Sequence, residues 1–95
     1  MSIVVLQTFK AADGQYARLA DIIASMIPAT AARKGAEFIH AAGDPAAGVT
    51  TVYEQWDGPD NLQAYVAWRT ANTDMATFAG VLSAPPKIEQ LAKIY

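Results

Sequence analysis

Residues Ser2 to Lys10 place apolar side chains on both faces of a strand. Ile3, Val5, Gln7 and Phe9 fall on one side, and Val4, Leu6, Thr8 and Lys10 on the other. A sheet with one wet face shows clean apolar–polar alternation; a strand apolar on both sides asks for cover on both. The chain has 95 residues, enough for a single domain spanning 1–95 and no second core. A domain of this size buries only about 60–65% of the surface its unfolded chain exposes, so pairing with another molecule stabilises it substantially.

The other elements follow from periodicity and punctuation. Asp13 is placed to cap a helix whose apolar stripe is Tyr16, Leu19, Ala20, Ile23, Met26 and Ile27. Pro28 is expected to kink or end that helix, with at most one further turn before Gly35. Ala36 to Ala42 reads as a second strand, Gly43 to Gly48 as a turn, and Val49 to Trp56 as a third strand. Asp57 and Asp60 resemble a capping box around Gly58-Pro59, opening a second helix that carries Leu62, Tyr65, Val66 and Arg69. Thr70 to Asp74 is expected to break or re-cap it, leaving Met75, Phe78, Ala79 and Leu82 as another apolar stripe. Lys87 to Tyr95 alternates as a final strand.

The order β-α-β-β-α-β is that of a ferredoxin-like α+β domain, an antiparallel sheet with helices on one face. Its other face then needs a partner, and a homodimer closing two sheets face to face into a dimeric α/β barrel is the simplest symmetric solution.

Composition removes several function classes. Apolar residues make up 53% of the chain and charged residues 17%, a richness suited to a covered surface. Net charge is −2 and the seven Lys and Arg residues are scattered, so no basic footprint for nucleic acid or an anionic membrane is present. With no cysteine, disulfides and thiolate metal sites are excluded, and a single histidine argues against a multi-histidine metal centre. The short apolar start, Met1 to Leu6, lacks a basic flank, and no apolar run approaches the ~20 residues that span a bilayer. A cytoplasmic protein is the expectation. No flavin, nicotinamide or metal motif is found, so no cofactor is expected.

Two short motifs, Tyr53-Glu-Gln-Trp56 and Ala84-Pro-Pro-Lys87, together with the element order, resemble the antibiotic biosynthesis monooxygenase family of small dimeric α/β barrels. Against a member that oxidises a three-ring phenol, Gln55-Trp56 falls on a Gln-Trp pair and His40 on a strand-two histidine. Val52, Leu62 and Ala76 stand where that enzyme has asparagine, tyrosine and arginine. A wider subset carries an Ala-His pair where this chain has Ala64-Tyr65. The haem-degrading branch has a tryptophan and an axial histidine where this chain has Tyr65 and Met75, so the resemblance argues against haem.

The resemblance implies a homodimeric, cofactor-independent monooxygenase acting with dioxygen on a small aromatic substrate, a phenol, quinol or polyketide-like ring. Such chemistry needs a base, one or two hydrogen-bonding groups and an apolar slot that keeps out water. His40, the one side chain that titrates near neutrality unaided, is the candidate base; its bland alternative is an exposed strand histidine. Trp56 is the candidate wall whose indole N–H orients a ring oxygen, against plain core packing. Tyr65 is a second donor. Val52, Glu54, Leu62, Trp68 and Arg69 complete the candidate substrate-binding set. Glu54 shares strand parity with Val52 and Trp56 and could itself act as base, against a surface or paired charge. Trp68 could equally be core and Arg69 a solvated charge. Tyr53 and Gln55 have the opposite parity and are expected to face the barrel of the dimer; Gln7 is a polar break that could line a pocket or simply bond across the interface. The alternatives are a non-catalytic aromatic-binding or stress-related protein on the same fold, and an isomerase moving a proton through His40 or Glu54.

Overall fold

A computed structural model describes all of residues 1–95. Four strands, β1 (Ile3–Lys10), β2 (Ala36–Asp44), β3 (Val49–Trp56) and β4 (Lys87–Ala92), form one antiparallel sheet in the order β2-β3-β1-β4. Helices α1 (Tyr16–Ala31) and α2 (Pro59–Asn72) and a 3₁₀ turn at Met75–Phe78 complete the ferredoxin-like α+β arrangement expected from the sequence. No helix is long and apolar enough to cross a membrane.

Pairing of Ile3 with Trp56, Val5 with Glu54, Gln7 with Val52 and Phe9 with Thr50 puts these eight side chains on the face that carries the helices. Two apolar clusters form there. Phe9, Val52, Leu19, Ile23 and Val81 make one, and Val5, Trp56, Leu62 and Tyr65 the other. Val4, Leu6, Phe38, Tyr53 and Leu91 point to the opposite face, which no other element of the chain covers. Phe38 and Leu91 remain 47% and 46% exposed.

Element ends differ from expectation for identifiable reasons. Asp13 does not cap α1: Asp13-Gly14 form a tight turn with Gly14 at φ 73°, and the helix starts after Gln15 without a side-chain cap. Pro28 does not end α1 either. The carbonyl it orphans belongs to Ala24, which is exposed and open to water, so the helix runs on and carries Thr30 into the interior. β2 continues two residues past Ala42, because Asp44 Oδ1 accepts hydrogen bonds from the N–H groups of Ala46 and Ala47 and tightens the turn behind it. The Asp57–Asp60 capping box does not form. Asp57 accepts instead from Asn61 Nδ2 at 3.0 and 3.1 Å, and Gly58 precedes Pro59 in the first helical turn.

α2 passes through Thr70 and stops at Asn72, after which Asp74 accepts from the Ala76 N–H and opens the 3₁₀ turn. That turn sets Phe78 against Phe9, ring centroids 6.2 Å apart, but leaves Met75 73% exposed. β4 ends at Ala92 rather than Tyr95, and Ile94 and Tyr95 are exposed.

Candidate functional site

Between the sheet and the helices lies a cavity of about 300 Å³, at the lower end of the range for small-molecule sites. Ten of its seventeen lining residues are hydrophobic, so its few polar groups stand out as the orienting ones. β1 and β3 supply Gln7, Val52 and Glu54; α1 supplies Met26 and Thr30; α2 supplies Tyr65 and Arg69. The chain from Thr73 to Ile88 closes the remaining side, through Met75, Phe78, Leu82 and Pro86.

Glu54 is the chemical centre of this wall. Its alternation with Val52 and Trp56 turns it inward beneath the helices, where it is only 3% exposed. Gln7 Nε2 donates to its Oε2 at 3.0 Å, and Trp56 Nε1 donates to its Oε1 at 3.0 Å. Burial raises the carboxyl pKa above its ordinary 4.5, opposed by the Trp56 hydrogen bond and by the positive charge of Arg69. One hydrogen bond to each oxygen leaves lone pairs on both, so the group can still accept a proton.

A second polar cluster joins α1 to α2. Tyr65 OH and Thr30 Oγ1 are 2.9 Å apart. Arg69 Nε donates to Tyr65 OH at 3.1 Å, and its Nη2 donates to Thr30 Oγ1 at 2.6 Å and to the Met26 carbonyl at 3.2 Å. Thr30 is 3% exposed and Tyr65 7%, so this network is held in the interior and fixes the phenol at the cavity wall.

Of the residues singled out from the sequence, Val52, Glu54, Tyr65 and Arg69 meet in this cavity. His40 does not. It pairs with Tyr53 on the uncovered face and stacks on Phe38 at 4.2 Å, with the sheet between it and Glu54. Strand parity is the reason, since β2 aligns His40 with the odd residues of β3 and only the even ones face the helices. Trp56 is not a cavity wall: it is fully buried, stacked on Tyr65 at 4.7 Å, and its N–H is held by Glu54. Leu62 packs against Trp56 in the core instead of lining the cavity. Trp68 stands outside as well, with the guanidinium carbons of Arg33 and Arg69 4.6 and 4.8 Å from its ring centroid. Tyr53 and Gln55 lie on the uncovered face, as their parity implied.

Thr30 was absent from the sequence-derived set. It continues the Ile23-Met26-Ile27 stripe at helical spacing, and a polar residue on that stripe was the available signal. It lies in the further turn expected past Pro28, whose inward face the sequence reading did not follow. Gln7, the polar break in β1, does line the cavity.

No protein-family model matches the sequence, and no curated protein does. Solved structures are similar over nearly the whole chain. One is a protein from Deinococcus radiodurans provisionally named an antibiotic biosynthesis monooxygenase, with 19% identity, a TM-score of 0.80, and coverage of 98% of this chain and 93% of that one. A protein of unknown function from Nitrosomonas europaea is 27% identical at a TM-score of 0.75, covering 99% and 94%. A conserved protein from Methanosarcina mazei reaches a TM-score of 0.84 at 14% identity, covering 99% and 94%. The chain thus has the fold of the antibiotic biosynthesis monooxygenases.

Proposed function

We propose that the protein is a cofactor-independent monooxygenase of a small aromatic substrate, a phenol, quinol or polyketide-like ring, with Glu54 as its base. The observation that carries this reading is the Glu54 carboxylate, buried in an apolar cavity with its pKa raised and a phenol hydroxyl on the facing helix. A base with a pKa above the ordinary carboxylate range is better matched to proton removal near neutral pH. Val52 and the surrounding apolar side chains exclude water from the reacting carbon.

In this reading an anthrone-like substrate, a ring bearing CH₂ beside its ketone-phenol system, loses a proton to Glu54. Tyr65 donates a hydrogen bond to the oxygen on which negative charge develops, strengthened by Arg69 Nε on its own oxygen. The anion passes one electron to dioxygen, and recombination of the radical pair forms the carbon–oxygen bond of a hydroperoxide. Loss of the second C–H proton with departing hydroxide gives the new carbonyl and one water, so CH₂ and O₂ become C=O and H₂O. Gln7 and Trp56 hold the Glu54 oxygens in place and are positioning residues.

The uncovered sheet face, with Val4, Leu6, Phe38, Tyr53 and Leu91, is the surface through which two copies pair in this proposal. Oxygen uptake by the purified protein on a panel of hydroquinones and anthrone-like phenols, with nothing else added, tests the assignment. Uptake with quinone formation is expected. Exchange of the substrate's C–H protons with solvent and no oxygen consumption would instead make the protein an isomerase built on the same base.

A further inference from the structure

Arg69 makes no ion pair, although its charge is near enough to oppose the rise in the Glu54 pKa. The single ion pair in the molecule joins Lys87 to Glu89, far along the chain and largely exposed. Arg69 Nε and Nη2 are both engaged, by Tyr65, Thr30 and the Met26 carbonyl, all neutral groups. Nη1, with two N–H donors, has no hydrogen-bond partner in the protein, and Arg69 lines the apolar cavity. Its plane is fixed from outside by Trp68, on which Arg33 also stacks, and Arg33 has no carboxylate within ion-pair distance either.

We infer that the cavity binds aromatic carboxylates, with the carboxylate on Arg69 Nη1 and the ring extending into the apolar space towards Glu54. A carboxylate would give the free Nη1 donors charge-assisted hydrogen bonds, which neither an ammonium nor a neutral ring supplies. Glu54 feels the charge of Arg69 but forms no ion pair with it, and its oxygens accept from Gln7 and Trp56 instead. The assignment deepens the functional proposal by naming the substrate's acidic class, and rests on it only in taking this cavity as the substrate site. It separates two tasks: Arg69 anchors a charge that is already present, and Glu54 acts on a carbon of the ring.

The test is a matched pair of two-ring probes, 2-naphthoate and 2-naphthamide, titrated into the intact protein by calorimetry. About ten-fold tighter binding of the carboxylate is expected, in line with one charge-assisted hydrogen-bonded contact. Arg69→Met keeps the aliphatic stem and is expected to abolish the preference, read as the ratio of the two affinities within the variant; Arg69→Lys is expected to keep it in weakened form. Equal affinity of the wild-type protein for the two probes overturns the inference, whatever the variants do. A preference that survives Arg69→Met intact also overturns it, by placing the anion elsewhere. Oxygen uptake is read separately. A carboxylate preference without uptake on any substrate upholds this inference and sinks the oxygenase; uptake with no preference does the reverse.

Discussion

Glu54 shows how one side chain can matter more than a motif. Its neighbours in sequence, Tyr53 and Gln55, lie on the other side of the sheet, and only alternation sends the carboxylate into the cavity. The inward parity of Glu54 was legible from the sequence, and so was the place of Val52 beside it. The ranking of His40 above it was not sound, because intrinsic pKa was weighed before strand parity; a histidine on the wrong face cannot reach a proton in the cavity. Trp56 was legible as important but not as buried, since indole at a strand end serves equally well as wall or core. The raised Glu54 pKa gives a signed prediction. Unfolded, the carboxyl titrates near its ordinary 4.5; folded, it titrates higher, so the native state binds the extra proton between those values. The folded state therefore loses stability as pH rises from 4.5 through the raised pKa. Glu54→Gln is expected to remove that loss, so that denaturation midpoints of the variant gain on the wild type as pH rises across this window. Parallel pH profiles for the two proteins would show that Glu54 is not ionising in a desolvated site.

At the level of elements, α1 runs past Pro28 into the further turn that the sequence allowed, ending at Ala31. A proline in a helix interior costs about 3 kcal/mol in general, which is why Pro28 reads as a kink or an end. Its cost is tempered here because the carbonyl it orphans is exposed, and the extra turn places Thr30 between Tyr65 and Arg69. β3 was legible to its ends and β1 to within one residue, as short β-branched and apolar runs bounded by turn residues. The connection after α1 is set by Gly35 at φ 88°. A methyl group there would lie 2.5 Å from Asn61 Cβ and 2.6 Å from Asp57 Oδ1, so β2 can begin only if this residue has no side chain. Gly35→Ala is expected to destabilise the fold by about 2–4 kcal/mol, adding left-handed strain to a steric clash with the start of α2. Chemical denaturation monitored by circular dichroism checks it, and a change below about 0.5 kcal/mol would mean that the α1–β2 and β3–α2 connections do not press on one another.

For the whole molecule, the two-faced apolar strand that first constrained the chain is matched by a sheet with helices on one side and, on the other, Val4 and Leu6 beside the exposed Phe38 and Leu91. Pairing two such faces is the proposal that covers them. Leu6→Asp is expected to shift the protein from dimer to monomer in light scattering at micromolar concentration, because an unpaired carboxylate would be buried at the centre of the interface. A monomeric wild type would contradict the pairing outright. Element order and fold class could be read from apolar pattern and punctuation, whereas the cavity could not, because it depends on residues from α1, α2, β1, β3 and the 73–88 segment meeting in space. The most direct measurement of the central claim is cofactor-free oxygen uptake compared among wild type, Glu54→Gln and His40→Ala on the same aromatic substrate. Loss of a general base predicts a rate about 10²–10⁴-fold lower for Glu54→Gln, with His40→Ala within a few-fold of wild type. Full activity in Glu54→Gln, or its loss in His40→Ala alone, would contradict the assignment of the buried carboxylate as the base.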